Sequence, residues 1–277
     1  MPQVLGASTA APSIRGGADS KVKTLSQINN PDLSGVSAQG YLVFDLATGR
    51  TLLQKNPSQK FAIASLTKLM TALVAYKNSD LSQTFAISGR DTLNVKPDLG
   101  LVLGDRVKAL DIFNSMLIGS CNDAALALAD YTSAVSGTDF VSLMNKQAAS
   151  LGMASTSYQN PMGFDNSGNY STAEDLKLLI TAAQQLSAFT DLGRRTNYQF
   201  TGSLGRTYYA AATNKLIEKY PDIQAIKTGF TNEANGAMAV KVGISGQEVV
   251  ILVLDSKNRE GDTLKLKAAL LSSFATD

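Results

Sequence analysis

Ser65 and Lys68 place a hydroxyl and an amine three residues apart at the start of an apolar helical pattern, in a 277-residue chain that contains no histidine. That spacing puts the two side chains on neighbouring turns of one helix face. Leu66, Leu69, Met70, Leu73 and Val74 form the buried stripe of the same helix, so desolvation disfavours the charged form of an amine lying beside them. A neutral lysine is a base, and it can activate the adjacent serine as a nucleophile. A serine in a first helical turn also keeps its own backbone N–H free to donate to an oxyanion. A second Ser-x-x-Lys, from Ser20 to Lys23, lies in a polar, small-residue stretch with nothing to bury it and is set aside.

The lack of histidine excludes a Ser-His-Asp triad, a Cys-His pair and any imidazole-ligated zinc or haem. Cys121 is the single cysteine, so there is no internal disulfide and no thiolate-ligated cluster. Neither a cofactor nor a metal is expected.

Two further constellations lie downstream. Ser120-Cys121-Asn122 falls between two apolar helical patterns, 55 residues after Ser65. On a tight turn its hydroxyl can relay protons and its amide can bond a peptide carbonyl, although Ser and Asn are also ordinary helix caps. Ser167-Gly168-Asn169 has the same form but lies in a turn-rich stretch without flanking helices, and reads as turn chemistry. Lys227-Thr228-Gly229 follows Ala225-Ile226 in a short strand pattern. An edge strand there would offer the Lys227 amine and Thr228 hydroxyl to a carboxylate, let a substrate backbone approach at Gly229, and supply a second oxyanion N–H at Phe230. Each motif is common alone; the ordered set, each in its expected setting, is specific.

The elements that must position these residues are legible in outline. Residues 41–45 and 51–54 read as a hairpin around Thr48-Gly49, and residues 237–244 and 248–254 as another. Apolar spacing of three and four predicts helices over 65–76, 110–118, 123–133, 138–151, 172–186 and 263–274. The expectation is an α+β fold with one mainly antiparallel sheet, built from both chain ends and flanked by helices, carrying an inserted helical lobe over roughly 66–186. Residues 1–30 read as a flexible arm and 31–277 as a single catalytic domain. Val4-Leu5-Gly6-Ala7 fits either the tail of an export signal or an arbitrary boundary. Outside the arm, 22 basic residues balance 22 acidic ones, which gives no general reason to bind nucleic acid or an anionic bilayer. Membrane association is expected only through a removed N-terminal segment.

From Gly40 to Phe274 the sequence resembles the penicillin-binding serine peptidases, in particular the low-molecular-mass D-alanyl-D-alanine carboxypeptidases and their endopeptidase relatives. Besides the three motifs, the likeness includes Pro57 to Leu73, Asn122 to Ala129, Leu151-Gly152-Met153, Asn160-Pro161-Met162-Gly163 and Tyr170 to Leu176. The resemblance implies a β-lactamase/transpeptidase-like fold and an acyl-enzyme on Ser65, with Lys68 taking its proton. It gives Ser120 the proton transfer to the departing D-alanine and Lys227 its electrostatic support. Asn122 falls on the substrate amide, and Thr228 with Arg259 on the terminal carboxylate. A cationic Lys227 would also depress the pKa of Lys68. The implied substrate is a peptidoglycan stem peptide ending in D-Ala-D-Ala, with β-lactams as covalent inhibitors and a role in wall remodelling and cell shape outside the cytoplasmic membrane.

Two positions depart from the family's habit: Cys121 where glycine is frequent, and Asn169 where histidine is usual. The chain also ends at the helix that closes the catalytic domain in the family, which tilts the expectation slightly toward an endopeptidase cutting cross-links. A β-lactamase is disfavoured, because Glu174 and Glu218 are the only glutamates between Ser120 and Lys227 and neither stands in a Glu-x-x-x-Asn context. A non-catalytic wall-peptide binder is the remaining alternative.

Overall fold

Strands from the two ends of the chain meet in one sheet. The computed structural model describes residues 32–92, 95–244 and 246–274; the N-terminal arm and the Ser20 to Lys23 match lie outside the described residues. The chain opens with the hairpin β1 (Gly40–Asp45) and β2 (Thr51–Lys55), then a single 3-10 turn (Ala64–Leu66) that runs directly into α1 (Thr67–Asn78). Next come β3 (Thr84–Ala86), β4 (Arg106–Lys108), α2 (Ala109–Gly119), α3 (Asn122–Ser136), α4 (Phe140–Ser150), α5 (Ala173–Gln184) and α6 (Ser187–Thr190). A hairpin of β5 (Asn197–Thr201) and β6 (Thr207–Ala211) precedes α7 (Leu216–Lys219), β7 (Ile223–Thr231), β8 (Asn235–Ile244), β9 (Gln247–Ser256) and α8 (Arg259–Phe274).

The main sheet has the order β2-β1-β9-β8-β7 and every neighbouring pair is antiparallel. β9 is central, and the run Val249 to Leu254 is wholly buried rather than alternating. Helices cover both faces: α8 packs on β8 and β9, and α5 on β1. The first hairpin turns where Asp45 accepts from both the backbone N–H and the hydroxyl of Thr48, at 2.7 Å each, and Gly49 takes a φ of +70°. β7 is an edge strand, and the Ala64–Leu66 turn packs against it and against β8.

α1 is the axis of the helical lobe and touches α2, α3, α4 and α5. Residues Thr67 to Ala75 are all buried, so the helix is enclosed on every side rather than packed along one stripe. Each fully buried leucine along it contributes about 1.5–3 kcal/mol, and the lysine in its first turn is carried inside with them.

Several boundaries differ from the sequence expectation. The helix expected from Ser65 begins as a 3-10 turn, and the last helix starts at Arg259 rather than Thr263. The helix expected to Leu186 stops at Gln184. The hairpins β3–β4 and β5–β6 have no counterpart in the periodicity, being three to five residues long and partly exposed. β5–β6 is held instead by the buried Asp105, which accepts from Ser203 Oγ, Leu204 N–H and Tyr208 Oη.

Candidate active site

Ser65 sits in the middle of the 3-10 turn, half-buried, where the helical lobe faces the edge of the sheet. The turn is tight enough that Ala64 adopts a φ of +47°. Gly163, at φ +87°, lies against the Ala64 carbonyl, and a Cβ there would collide with it. Asn160 Oδ1 accepts from the N–H groups of Gly163 and Phe164, fixing that loop beneath the serine. Among the described residues Ser65 N–H has no acceptor, as an oxyanion donor requires.

Lys68 is wholly buried, and its Nζ lies 2.9 Å from Ser65 Oγ, 2.9 Å from Asn122 Oδ1 and 2.7 Å from the Met162 carbonyl. The last two partners can only accept. An unprotonated amine therefore spends its two N–H bonds on Asn122 and Met162 and is left with a lone pair facing the Ser65 hydroxyl. Burial pulls the Lys68 pKa down to about 7, opposed by the more distant Cys121 and Asp123.

Ser120 and Lys227 form the opposite wall. Ser120 terminates α2 in the left-handed conformation, φ +60°, which costs a non-glycine residue roughly 1–2 kcal/mol and turns its hydroxyl away from the helix. Lys227 Nζ donates to Ser120 Oγ at 2.8 Å and to the Thr228 carbonyl at 2.9 Å. The N-terminus of α3 has no side-chain cap, so Ser-x-Asn is not used here as capping chemistry. Asn122 Oδ1 instead receives Lys68, while its Nδ2 donates to the Val95 and Lys96 carbonyls at 2.9 and 3.2 Å. The amide expected at the substrate is thus bonded within its own chain.

Lys227 is also buried, and its pKa lies well below the ordinary lysine range, first through desolvation and then through repulsion from Lys68 and Arg259. Lys68 is lowered chiefly by its own burial, and Lys227 by burial and by repulsion from Lys68 and Arg259.

The rest of the Lys-Thr-Gly strand follows the edge of the site. Thr228 and Thr213 share a hydrogen bond of 2.5 Å between hydroxyls. At Gly229 a Cβ would stand 2.9 Å from Ser65 N and 3.0 Å from the Ala64 Cβ, so this close approach of strand to nucleophile needs glycine. Phe230 is exposed just beyond it. Arg259, the first residue of α8, donates through Nη1 to the Gly229 carbonyl at 2.6 Å and through Nε to Glu260 at 2.9 Å, which brings its guanidinium beside Thr228.

Cys121 follows Ser120 in the chain, but burial pushes its thiol up to about 12, which leaves almost no thiolate at neutral pH. Asn169 is buried 3.4 Å from Gln159 N–H and the Phe164 carbonyl, with no bond to the Ser–Lys pairs. Ser167 and Gly168 form a turn closed by Asn169 N–H to the Asn166 carbonyl. Glu174 bonds Ser58 and Glu218 pairs with Lys215, both on the exposed surface. Sequence reasoning missed the Met162 carbonyl, because a backbone acceptor carries no residue signature; it quoted the Asn160 to Gly163 run only as framework.

The sequence profile of the family described as D-alanyl-D-alanine carboxypeptidase matches residues 25–258. A D-alanyl-D-alanine carboxypeptidase of Mycobacterium tuberculosis is 30% identical over 88% of this chain and 82% of its own length. A D-alanyl-D-alanine endopeptidase of Pseudomonas aeruginosa is 34% identical over 78% of this chain and 70% of its own. The chain spans a smaller share, 63%, of a Bacillus subtilis carboxypeptidase to which it is 26% identical. In structure it is similar to a Streptomyces DD-transpeptidase, with a TM-score of 0.79 and 27% identity over 86% of this chain and 98% of the other. With the Ser65–Lys68 and Ser120–Lys227 pairs facing one edge strand, the chain belongs to the D-alanyl-D-alanine carboxypeptidase family of serine peptidases.

Proposed function

We propose that this protein is a serine D,D-carboxypeptidase that removes the terminal D-alanine from peptidoglycan stem peptides, and that residues 31–277 act as one catalytic domain. The observation that carries the reading is the pair of serine–lysine hydrogen bonds, 2.9 Å at Ser65 and 2.8 Å at Ser120, converging beside an edge strand. Ser65 Oγ attacks the carbonyl of the D-Ala–D-Ala bond while Lys68 Nζ takes its proton. The oxyanion is met by the N–H groups of Ser65 and Phe230. Collapse breaks the C–N bond. Ser120, whose hydroxyl is held by Lys227, gives its proton to the leaving nitrogen and recovers one from the Lys68 ammonium, which returns Lys68 to the free amine. Water then attacks the Ser65 ester, giving its proton to Lys68, and the acid and the free serine are restored.

Thr228 and Arg259 receive the terminal carboxylate; Gly229 lets the substrate backbone approach as an added strand. Asn122 positions Lys68 first and meets the substrate amide only if its bonds to Val95 and Lys96 are exchanged. β-Lactams acylate Ser65 by the same attack and remain attached, because Glu174, bonded to Ser58, and Glu218, paired with Lys215, are engaged elsewhere rather than activating water as the glutamate of class A β-lactamases does. Peptidoglycan lies outside the cytoplasmic membrane, so the enzyme works as a secreted or periplasmic protein and contributes to wall remodelling and cell shape. Among the described residues no helix is long and apolar enough to cross a membrane.

A second reading, cleavage of cross-links, draws on the Pseudomonas relative named as an endopeptidase. One assay tests both. Release of free D-alanine from a pentapeptide, with cross-linked dimers left intact, supports the carboxypeptidase; monomers from dimers support the endopeptidase. Absence of both products, together with no mass gain on Ser65 after penicillin treatment, overturns the catalytic reading.

A further inference from the structure

Lys68 is aimed by two acceptors, and one of them is only a backbone carbonyl. Asn122 Oδ1 comes from the first turn of α3, and the Met162 carbonyl, 2.7 Å from Lys68 Nζ, from the loop between α4 and α5. Such a carbonyl is a fixed acceptor only as far as its loop is fixed. Asn160 closes the loop on itself: Oδ1 accepts from the N–H groups of Gly163 and Phe164 at 2.7 and 3.0 Å, and Nδ2 donates to the Phe164 carbonyl at 3.1 Å. A second tie reaches across to α1, where the wholly buried Thr71 donates through Oγ1 to the Pro161 carbonyl at 2.7 Å.

Thr71 follows Lys68 by three residues in α1, so the two side chains are neighbours on one face. Two successive carbonyls of one loop, Pro161 and Met162, are therefore received by two side chains of one helix. The Thr71 hydroxyl has another acceptor within reach, the Thr67 carbonyl of its own helix, but at 3.5 Å; its single proton goes to the loop. Thr67 itself is the natural contrast, because its buried Oγ1 has no partner among the described residues. Both threonines are enclosed in the same helix, and only the later one holds the loop.

We infer that Thr71 is a positioning residue for proton abstraction: its hydroxyl anchors the Pro161 carbonyl, which holds the next carbonyl on Lys68 and keeps the amine lone pair directed at Ser65 Oγ. The inference rests on the acyl-transfer reading above. Without the hydroxyl, the Pro161 carbonyl is left buried and unpaired, and the loop turns to satisfy it. Met162 is then withdrawn as an acceptor, which an ammonium needs more than a neutral amine does, so Lys68 titrates lower and faces the serine less often. The titratable groups around Lys68, namely Asp123 in α3, Cys121 ahead of it and Lys227 on β7, are not altered by the change.

The test follows acylation of Ser65 by penicillin across the pH range, with thermal melts to report folding. Thr71→Val keeps the shape of the side chain and loses the hydroxyl. Its plateau rate constant should fall about tenfold and its midpoint should move about one pH unit to the acid side of the wild type, the scale of one lost hydrogen bond. Thr71→Ser, which keeps the hydroxyl, should restore both, and Thr67→Val should leave the midpoint where it is. A midpoint in folded Thr71→Val that stays at the wild-type value or moves to the alkaline side overturns the inference, whatever the rate does, because a purely structural role lowers the rate alone. So does a Thr71→Ser protein that behaves like Thr71→Val, or a Thr67→Val protein that shifts as far. If Thr71→Val does not fold, Thr71→Ser against Thr71→Ala decides, and equal midpoints overturn the inference. If wild-type Ser65 gains no mass from penicillin, the acyl-transfer reading fails first and this one falls with it.

Discussion

The two serine–lysine pairs do similar geometric work by different means. Ser65 and Lys68 share a single coil, and helix geometry alone brings them together once the turn forms. Ser120 and Lys227 are 107 residues apart, one at the left-handed end of α2 and the other on the sheet edge, and meet only because the lobe packs on the sheet. The first pair is local in sequence, and the helices packed around α1 bury it. The second is a tertiary contact, and its lysine is lowered by burial and by the nearby cations Lys68 and Arg259. A local pair tolerates change around it; a pair assembled across two elements depends on everything that holds them in register.

Breaking the local pair should give the largest effects. Ser65→Ala is expected to abolish penicillin acylation and to lower peptide hydrolysis by at least about 10⁴-fold, read by intact mass and by D-alanine release. Retained covalent uptake in that variant would place the nucleophile elsewhere. Lys68→Ala should cost about 10²–10⁴-fold in the acylation rate, the range for loss of a general base.

The pH profile sharpens the same point. With the Lys68 pKa at about 7, the acylation rate constant should climb between pH 6 and 8 and level off above, because the amine is a base only when unprotonated. For folding the sign is set by the lower folded-state pKa. The cost of burying Lys68 is present in full below about pH 7 and fades as pH rises toward the unfolded value of 10.5, so this group makes the protein more stable across that window. A flat acylation profile from pH 6 to 8 would break the assignment.

The tertiary pair is probed most directly at the seam it depends on. Gly229→Ala pushes a methyl toward Ser65 N and Ala64, and should cost about 1–3 kcal/mol of stability together with a fall in acylation rate, measured by denaturant melts and penicillin uptake. Cys121→Ala is the smallest change. With its thiol protonated and its neighbours intact, the variant should keep acylation within a few-fold, and the native thiol should react slowly with iodoacetamide at pH 7. Rapid alkylation would show that the two walls open more than the packing implies.

Much of the framework could be read from residue order. The long hairpins of the sheet and the helices over 110–118 and 172–186 announced themselves through period-two and period-3.6 apolar patterns. β3–β4 and β5–β6 did not, because their strands are only three to five residues long; β5–β6 is held in addition by the buried carboxylate of Asp105. Arg259 entered through family likeness, and α8 begins at that residue instead of four residues later, where the apolar pattern starts. Asn122 was read as a substrate contact; its bonds to Val95 and Lys96 depend on how the loop before β4 folds back onto α3, which spacing does not encode.

By itself the sequence determined the kind of chemistry: no imidazole, a serine and an amine one coil apart in an apolar helix, and two further polar motifs in a set order. Tertiary structure decided which atoms complete them. Met162 contributes only a carbonyl and Ser120 finds Lys227 across the cleft, because backbone acceptors and pairs distant in sequence acquire meaning only when packing sets them within bonding distance.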